Sequence, residues 1–119
     1  MADFAGVFAE LRAIMQPYAD RLHTKADSAT ALYLDTRQIQ KNKQAPFFGA
    51  VQIRKNYVSY YLMPVYVDPT LLDGISASLK KRMQGKSCFN FTAVDPALFQ
   101  ELAALTEAGY AKYAELGYV

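Results

Sequence analysis

The chain has 119 residues, enough for one domain with its own core and too few for two of ordinary size. Its 52% hydrophobic content excludes intrinsic disorder, and its single cysteine, Cys88, excludes an intramolecular disulfide. A net charge of +2 and a pI of about 8.6 fall short of the concentrated basic charge of a dedicated nucleic-acid binder.

Residues 1–15 mix Asp3 and Glu10 with apolar side chains, which is unlike a signal peptide. No stretch reaches the roughly 18 apolar residues of a membrane span. One cysteine fits a reducing compartment, so a cytoplasmic protein without a membrane anchor is expected.

The first element reads as an amphipathic helix. Phe4, Val7, Phe8, Leu11, Ile14, Met15, Tyr18 and Leu22 recur at three- and four-residue steps and share one face. Asp3 is the expected N-cap. Pro17 lacks an N–H and crowds the preceding turn, so a break is expected there, with a short helical turn continuing to about His23. Residues 29–35, around Tyr33, read as the first strand. Residues 36–46 are polar and basic, with Arg37, Lys41 and Lys43, and read as an exposed loop.

The strongest strand signal is at 47–54 and 57–66, where β-branched and aromatic residues crowd on either side of a Lys55-Asn56 turn. Strict alternation would put Phe47, Gly49, Val51 and Ile53 on one face, with Gln52 and Arg54 on the other. Pro64 is expected at a sheet edge or bulge. Asp68-Pro69 and Ser76 begin short helical turns, the second running to Met83 with Gly85 as its stop. Residues 86–91 read as a short strand. Asp95-Pro96 opens a long last helix, with Val94 and Phe99 at the positions of a hydrophobic staple. Leu98, Leu102, Leu105, Gly109, Tyr113 and Leu116 are its expected inward face. A glycine on that stripe costs up to about 1 kcal/mol against alanine, so Gly109 points to a close approach by another element.

From Phe8 to Tyr113 this pattern resembles the YdhG-like family of small bacterial domains. The resemblance rests on Glu10-Leu11-Arg12 in the opening helix, the hairpin from Phe48-Gly49-Ala50 through Arg54-Lys55-Asn56 to Tyr60, the element Gly85-Lys86-Ser87-Cys88-Phe89-Asn90-Phe91, and the closing helix. The family often has a Gly-Met-Pro turn after its first strand, where this chain has the basic loop. The resemblance implies one YdhG-like domain over 1–119, and one branch of the family implies a frataxin-like intracellular iron chaperone. The expected fold is an α+β two-layer sandwich: about four mostly antiparallel strands packed against the first and last helices.

The residues do not spell out a catalytic site. Neither a phosphate-binding glycine loop, nor a nucleophile elbow, nor a zinc spacing is present. His23 is the only histidine. Asp20, His23 and Asp27 form the best cluster of iron-type ligands, and a solvated helix end explains them equally well. Cys88 in a strand fits packing better than nucleophilic work.

The richest cluster is aromatic. Tyr57, Tyr60, Tyr61 and Tyr66 lie on one predicted strand, with Phe47 and Phe48 across the hairpin and Arg54 and Lys86 nearby. Tyrosines combine contact area with a polar tip, as ligand pockets do. The expected function is therefore non-enzymatic binding of a small molecule or protein partner through Tyr57, Tyr60, Tyr61, Phe47, Lys86 and Arg54, with no cofactor and no metal. The chain is expected to be a monomer or a homodimer. Iron chaperoning is one alternative. Single-stranded nucleic-acid binding through Arg54, Lys55 and Tyr57 is another, disfavoured because it needs Arg37, Lys41, Lys43, Lys80, Lys81 and Arg82 gathered on one face.

Overall fold

The computed structural model describes residues 4–36 and 47–118. In chain order these form α1 (Phe4–Met15), a 3-10 segment (Gln16–Arg21), β1 (His23–Asp27), β2 (Ala31–Asp35), β3 (Phe47–Ile53) and β4 (Val58–Leu62). There follow α2 (Pro64–Val67), a 3-10 turn (Pro69–Leu72), α3 (Ala77–Lys80), β5 (Cys88–Phe91) and α4 (Pro96–Glu115). The architecture is the expected α+β sandwich, with five antiparallel strands in the order β1-β2-β3-β4-β5. No helix among the described residues is long and apolar enough to cross a membrane.

In α1 the residues Val7, Phe8, Leu11 and Met15 are buried, following the three- and four-residue spacing. Pro17 acts as expected: the α-helix ends at Met15 and tightens into the 3-10 segment, with the proline in its first turn. Asp3 lies outside the described residues, as do Arg37, Lys41 and Lys43.

The extra strand is β1. All five of its residues are exposed, so it lacks the apolar alternation by which a strand is read. It pairs only with β2, and Lys25 and Asp27 place charges along the open edge, which discourages pairing with another chain. The β3–β4 turn is where Lys55-Asn56 puts it: Ile53 pairs Val58, and the Arg54 N–H donates to the Tyr57 carbonyl at 2.8 Å.

Two strand readings and one helix bound need correction. The β2–β3 register shifts between Leu34 and Asp35. This breaks the alternation in β3, so Phe48 is buried in the core while Phe47 stacks on Tyr33 at 4.6 Å, on the opposite face. Next, β4 stops at Leu62 rather than Tyr66, because Pro64 starts α2. Finally, the helix capped by Ser76 ends at Lys80 rather than Met83. Residues 82–84 instead run beside β5: the Asn90 N–H donates to the Arg82 carbonyl at 2.8 Å, and the Gln84 N–H to the Cys88 carbonyl at 2.9 Å. Gly85, at φ +86°, makes the turn between them.

One sheet face carries Leu32, Leu34, Val51, Val58, Tyr60, Leu62, Phe89 and Phe91 into the core against α1 and α4. Burial of each such side chain contributes about 1.5–3 kcal/mol. Asp95 caps α4, accepting from the Leu98 N–H at 3.2 Å. Phe99 packs edge-on against Phe91 at 5.0 Å, whereas its staple partner Val94 stays exposed. Leu116, expected inside, is also exposed, because α4 has ended before it and Gly117, at φ +80°, turns the chain away. A methyl on Gly109 would lie 2.9 Å from Pro64 Cβ, which identifies α2 as the element that approaches α4 there.

Candidate functional site

The helices cover one face of the sheet; the candidate site lies on the other. Cross-strand register builds it. Ala26 pairs Tyr33, Tyr33 pairs Ala50, Ala50 pairs Tyr61, and Tyr61 pairs Cys88, so one row of side chains crosses all five strands. Paired residues project to the same face. Ala50 is small and sits between two tyrosines whose backbones are about 10 Å apart, at two strand spacings. The result is an open depression of about 250 Å³ lined by Tyr33, Phe47, Ala50, Gln52, Arg54 and Tyr61.

Its charge is cationic. An Arg54 guanidinium N–H donates to the Tyr61 hydroxyl at 2.9 Å, and the guanidinium carbon lies 5.9 Å from the centre of the Tyr61 ring. That hydrogen bond is the first cause holding the Arg54 guanidinium even more firmly charged than usual. The bond occupies one of five guanidinium N–H donors. Lys25 Nζ lies 5.5 Å from the centre of the Tyr33 ring and 3.8 Å from Asp35. Burial, then the Asp35 charge, raises the Tyr33 phenol above its ordinary range, so it stays neutral.

A second open groove continues on this face. Tyr57, Lys81, Arg82, Met83, Gln84, Asn90 and Thr92 line it, with a volume of about 330 Å³. Asn90 is fixed in this groove by three side-chain hydrogen bonds. Its side-chain oxygen accepts from Ser59 Oγ at 2.8 Å and from Cys88 Sγ at 3.3 Å, and its amide donates to Gln84 Oε1 at 2.6 Å.

The six side chains singled out from the sequence divide four ways. Phe47, Tyr61 and Arg54 meet in the first depression, and Tyr57 stands in the second groove. Lys86 is exposed and lies 5.8 Å from the centre of the Tyr66 ring on α2. Tyr60 faces the core and does not line the site with Tyr61. It is fully buried, its hydroxyl lies 2.6 Å from Thr106 Oγ1, and burial drives its phenol far above the ordinary range. Phe48, across the hairpin, is core as well.

Sequence reasoning missed Tyr33, Lys25, Ala50 and Gln52 as site residues. The signal for Tyr33 was its place between the buried Leu32 and Leu34, which sets it on the opposite face. Lys25 carried no signal, because β1 has no alternating pattern.

Other candidate chemistry is weaker. Among the described residues no three His, Cys, Asp or Glu side chains come together as a metal site. Asp27, from the cluster with Asp20 and His23, pairs instead with Arg12, whose hydrogen bond lowers the Asp27 carboxyl below its ordinary value. Burial pushes the Cys88 thiol up, away from the thiolate form a nucleophile needs. A further groove of about 400 Å³ lies between the 3-10 segment and α4, lined by Pro17, Tyr18, Arg21, Glu107, Tyr110 and Ala111. Glu107 offsets Arg21 there, and Tyr18 and Tyr110 pack on each other at 5.1 Å.

The chain matches no protein-family model, no curated protein and no solved structure.

Proposed function

We propose that the chain is a non-enzymatic binding domain of the YdhG-like type, and that its working surface is the helix-free face of the sheet. The ligand carries a flat ring and an anionic group. The observation that carries this reading is the Tyr33–Ala50–Tyr61 row with Arg54 fastened to Tyr61. Two half-buried rings flank a small floor, and a cation waits at the rim without a carboxylate partner among the described residues. A flat ring placed over Ala50 gains contact with both tyrosines and with Phe47, and its anionic substituent meets Arg54. At about 250 Å³ the depression suits one ring with a charged substituent rather than a larger cofactor.

The chemistry of the face favours binding over catalysis. Its thiol is held protonated, Tyr33 is held neutral, and the thiol donates to Asn90 rather than to a base. Adenosine 5′-monophosphate, a flat ring joined to a phosphate, is a suitable probe. Titration followed by tyrosine fluorescence should give saturable binding for the wild type. Tyr61→Ala and Arg54→Ala should each weaken it at least tenfold. Equal binding by all three proteins would refute the reading.

A further inference from the structure

We infer that the ligand of this face is a single-stranded nucleic acid, laid across the sheet from Tyr33 to the groove at Tyr57. This inference rests on the binding reading above and adds the ligand class. It follows from continuity and from charge. The first depression offers Tyr33, Phe47 and Tyr61 as ring surfaces, and the second offers Tyr57. Both lie on the same sheet face, because Tyr61 pairs Cys88 and Ser59 pairs Asn90 in adjacent rows of β4 and β5. A monomeric ligand would fill one depression and leave the other vacant. A polymer with rings at regular intervals uses both.

The charges match a phosphodiester backbone. Lys25 stands at one end of the path, Arg54 in the middle, and Lys81 and Arg82 at the other end. Among the described strand residues on this face Asp35 is the only carboxylate, and Lys25 lies 3.8 Å from it. Arg54, Lys81 and Arg82 have no carboxylate within ion-pair distance among the described residues. The modest net charge of +2 conceals this, because four of the eleven acidic residues are engaged away from this face. Asp27 holds Arg12, Asp68 and Glu115 hold Lys112, and Glu101 accepts from the Ser76 N–H and hydroxyl. Rings interleaved with cations on an open sheet suit stacked, unpaired bases, and they do not suit a duplex, whose bases are already stacked on one another. From Tyr33 on β2 to Asn90 on β5 the path spans three strand spacings, about 14 Å, which admits only a short run of nucleotides at a time.

The test is fluorescence anisotropy with a labelled ten-nucleotide single strand, its duplex, and a polyglutamate of equal length. The single strand should bind more tightly than both the duplex and adenosine 5′-monophosphate. With about three free cations engaged, the log–log salt slope should be about −2. Lys81→Ala combined with Arg82→Ala should flatten that slope by more than 1. Tyr61→Ala should weaken binding roughly tenfold with the slope unchanged, because stacking is not screened by salt. Polyglutamate binding as tightly as the single strand would assign the face to an acidic peptide and overturn the inference, as would duplex binding of equal strength. If the mononucleotide binds through Tyr61 and the single strand binds no better, the inference fails and the binding reading stands. If neither binds, both fail.

Discussion

Tyr60 and Tyr61 are neighbours in sequence and stand on opposite faces of β4. Tyr60 is sealed against α4, while Tyr61 lines the open depression with Arg54. Thr106 gives its own proton to the Leu102 carbonyl at 2.8 Å, so in the 2.6 Å contact the Tyr60 hydroxyl is the donor. Tyr60→Phe therefore removes one hydrogen bond and leaves Thr106 still bonded to Leu102. Its cost should be about 1 kcal/mol in urea denaturation, with mononucleotide binding unchanged. Tyr61→Ala should show the reverse: a stability loss of at most about 1 kcal/mol and loss of binding. Equal loss of binding in both variants would contradict the separation of the two faces.

Gly109 sets the distance between α4 and α2. An alanine there gains up to about 1 kcal/mol of helix propensity. Its methyl, however, would meet Pro64 Cβ at 2.9 Å and Cγ at 3.1 Å, and a proline ring has no rotamer by which to retreat. The clash should win, and Gly109→Ala should lose about 1–3 kcal/mol. A urea midpoint equal to or above the wild type would show that α2 yields easily.

Alkaline pH should unfold the protein through two phenols. Burial raises both Tyr60 and Tyr113 above the ordinary tyrosine range. Each favours the protonated form in the fold, so the folded state holds more protons than the unfolded chain once pH passes about 10. Stability is then fully present below about pH 10 and falls as pH rises further. Absorbance at the phenolate band should rise in two stages, exposed tyrosines first and these two together with the loss of helix signal. Simultaneous titration of all tyrosines below the unfolding transition would contradict their burial.

On the acid side the sign reverses. Asp27 is lowered chiefly by its hydrogen bond from Arg12, and Asp68 chiefly by its hydrogen bond from Thr70. Both contribute above about pH 4 and lose that contribution as pH falls through their lowered values. Asp27→Asn should therefore flatten the decline of thermal stability below about pH 4, and an unchanged acid profile would remove Asp27 from the account.

Much of this architecture was legible because local signals agreed with the fold. Asp95-Pro96 opens α4, Pro17 ends α1, Lys55-Asn56 turns the hairpin, and Gly109 marks a close approach. The misses share a physical cause, which is that facing depends on the neighbouring strand. The shift between Leu34 and Asp35 puts Phe47 on the outer face, and alternation within 47–53 alone cannot register it. The aromatic cluster at 57–66 was visible as composition, but a two-residue period divides it, sending Tyr60 inward and Tyr61 outward, and Pro64 removes Tyr66 from the strand. Tyr33 joins the site only because its register sets it opposite Ala50, in line with Tyr61.

The most direct measurement is an amide NMR titration of the labelled protein with adenosine 5′-monophosphate. The account predicts shifts concentrated at Tyr33, Ala50, Gln52, Arg54 and Tyr61, with α1 and the buried face of α4 unmoved. Shifts confined to Tyr18, Arg21 and Tyr110, or none at millimolar nucleotide, would contradict the assignment of the helix-free sheet face as the working surface.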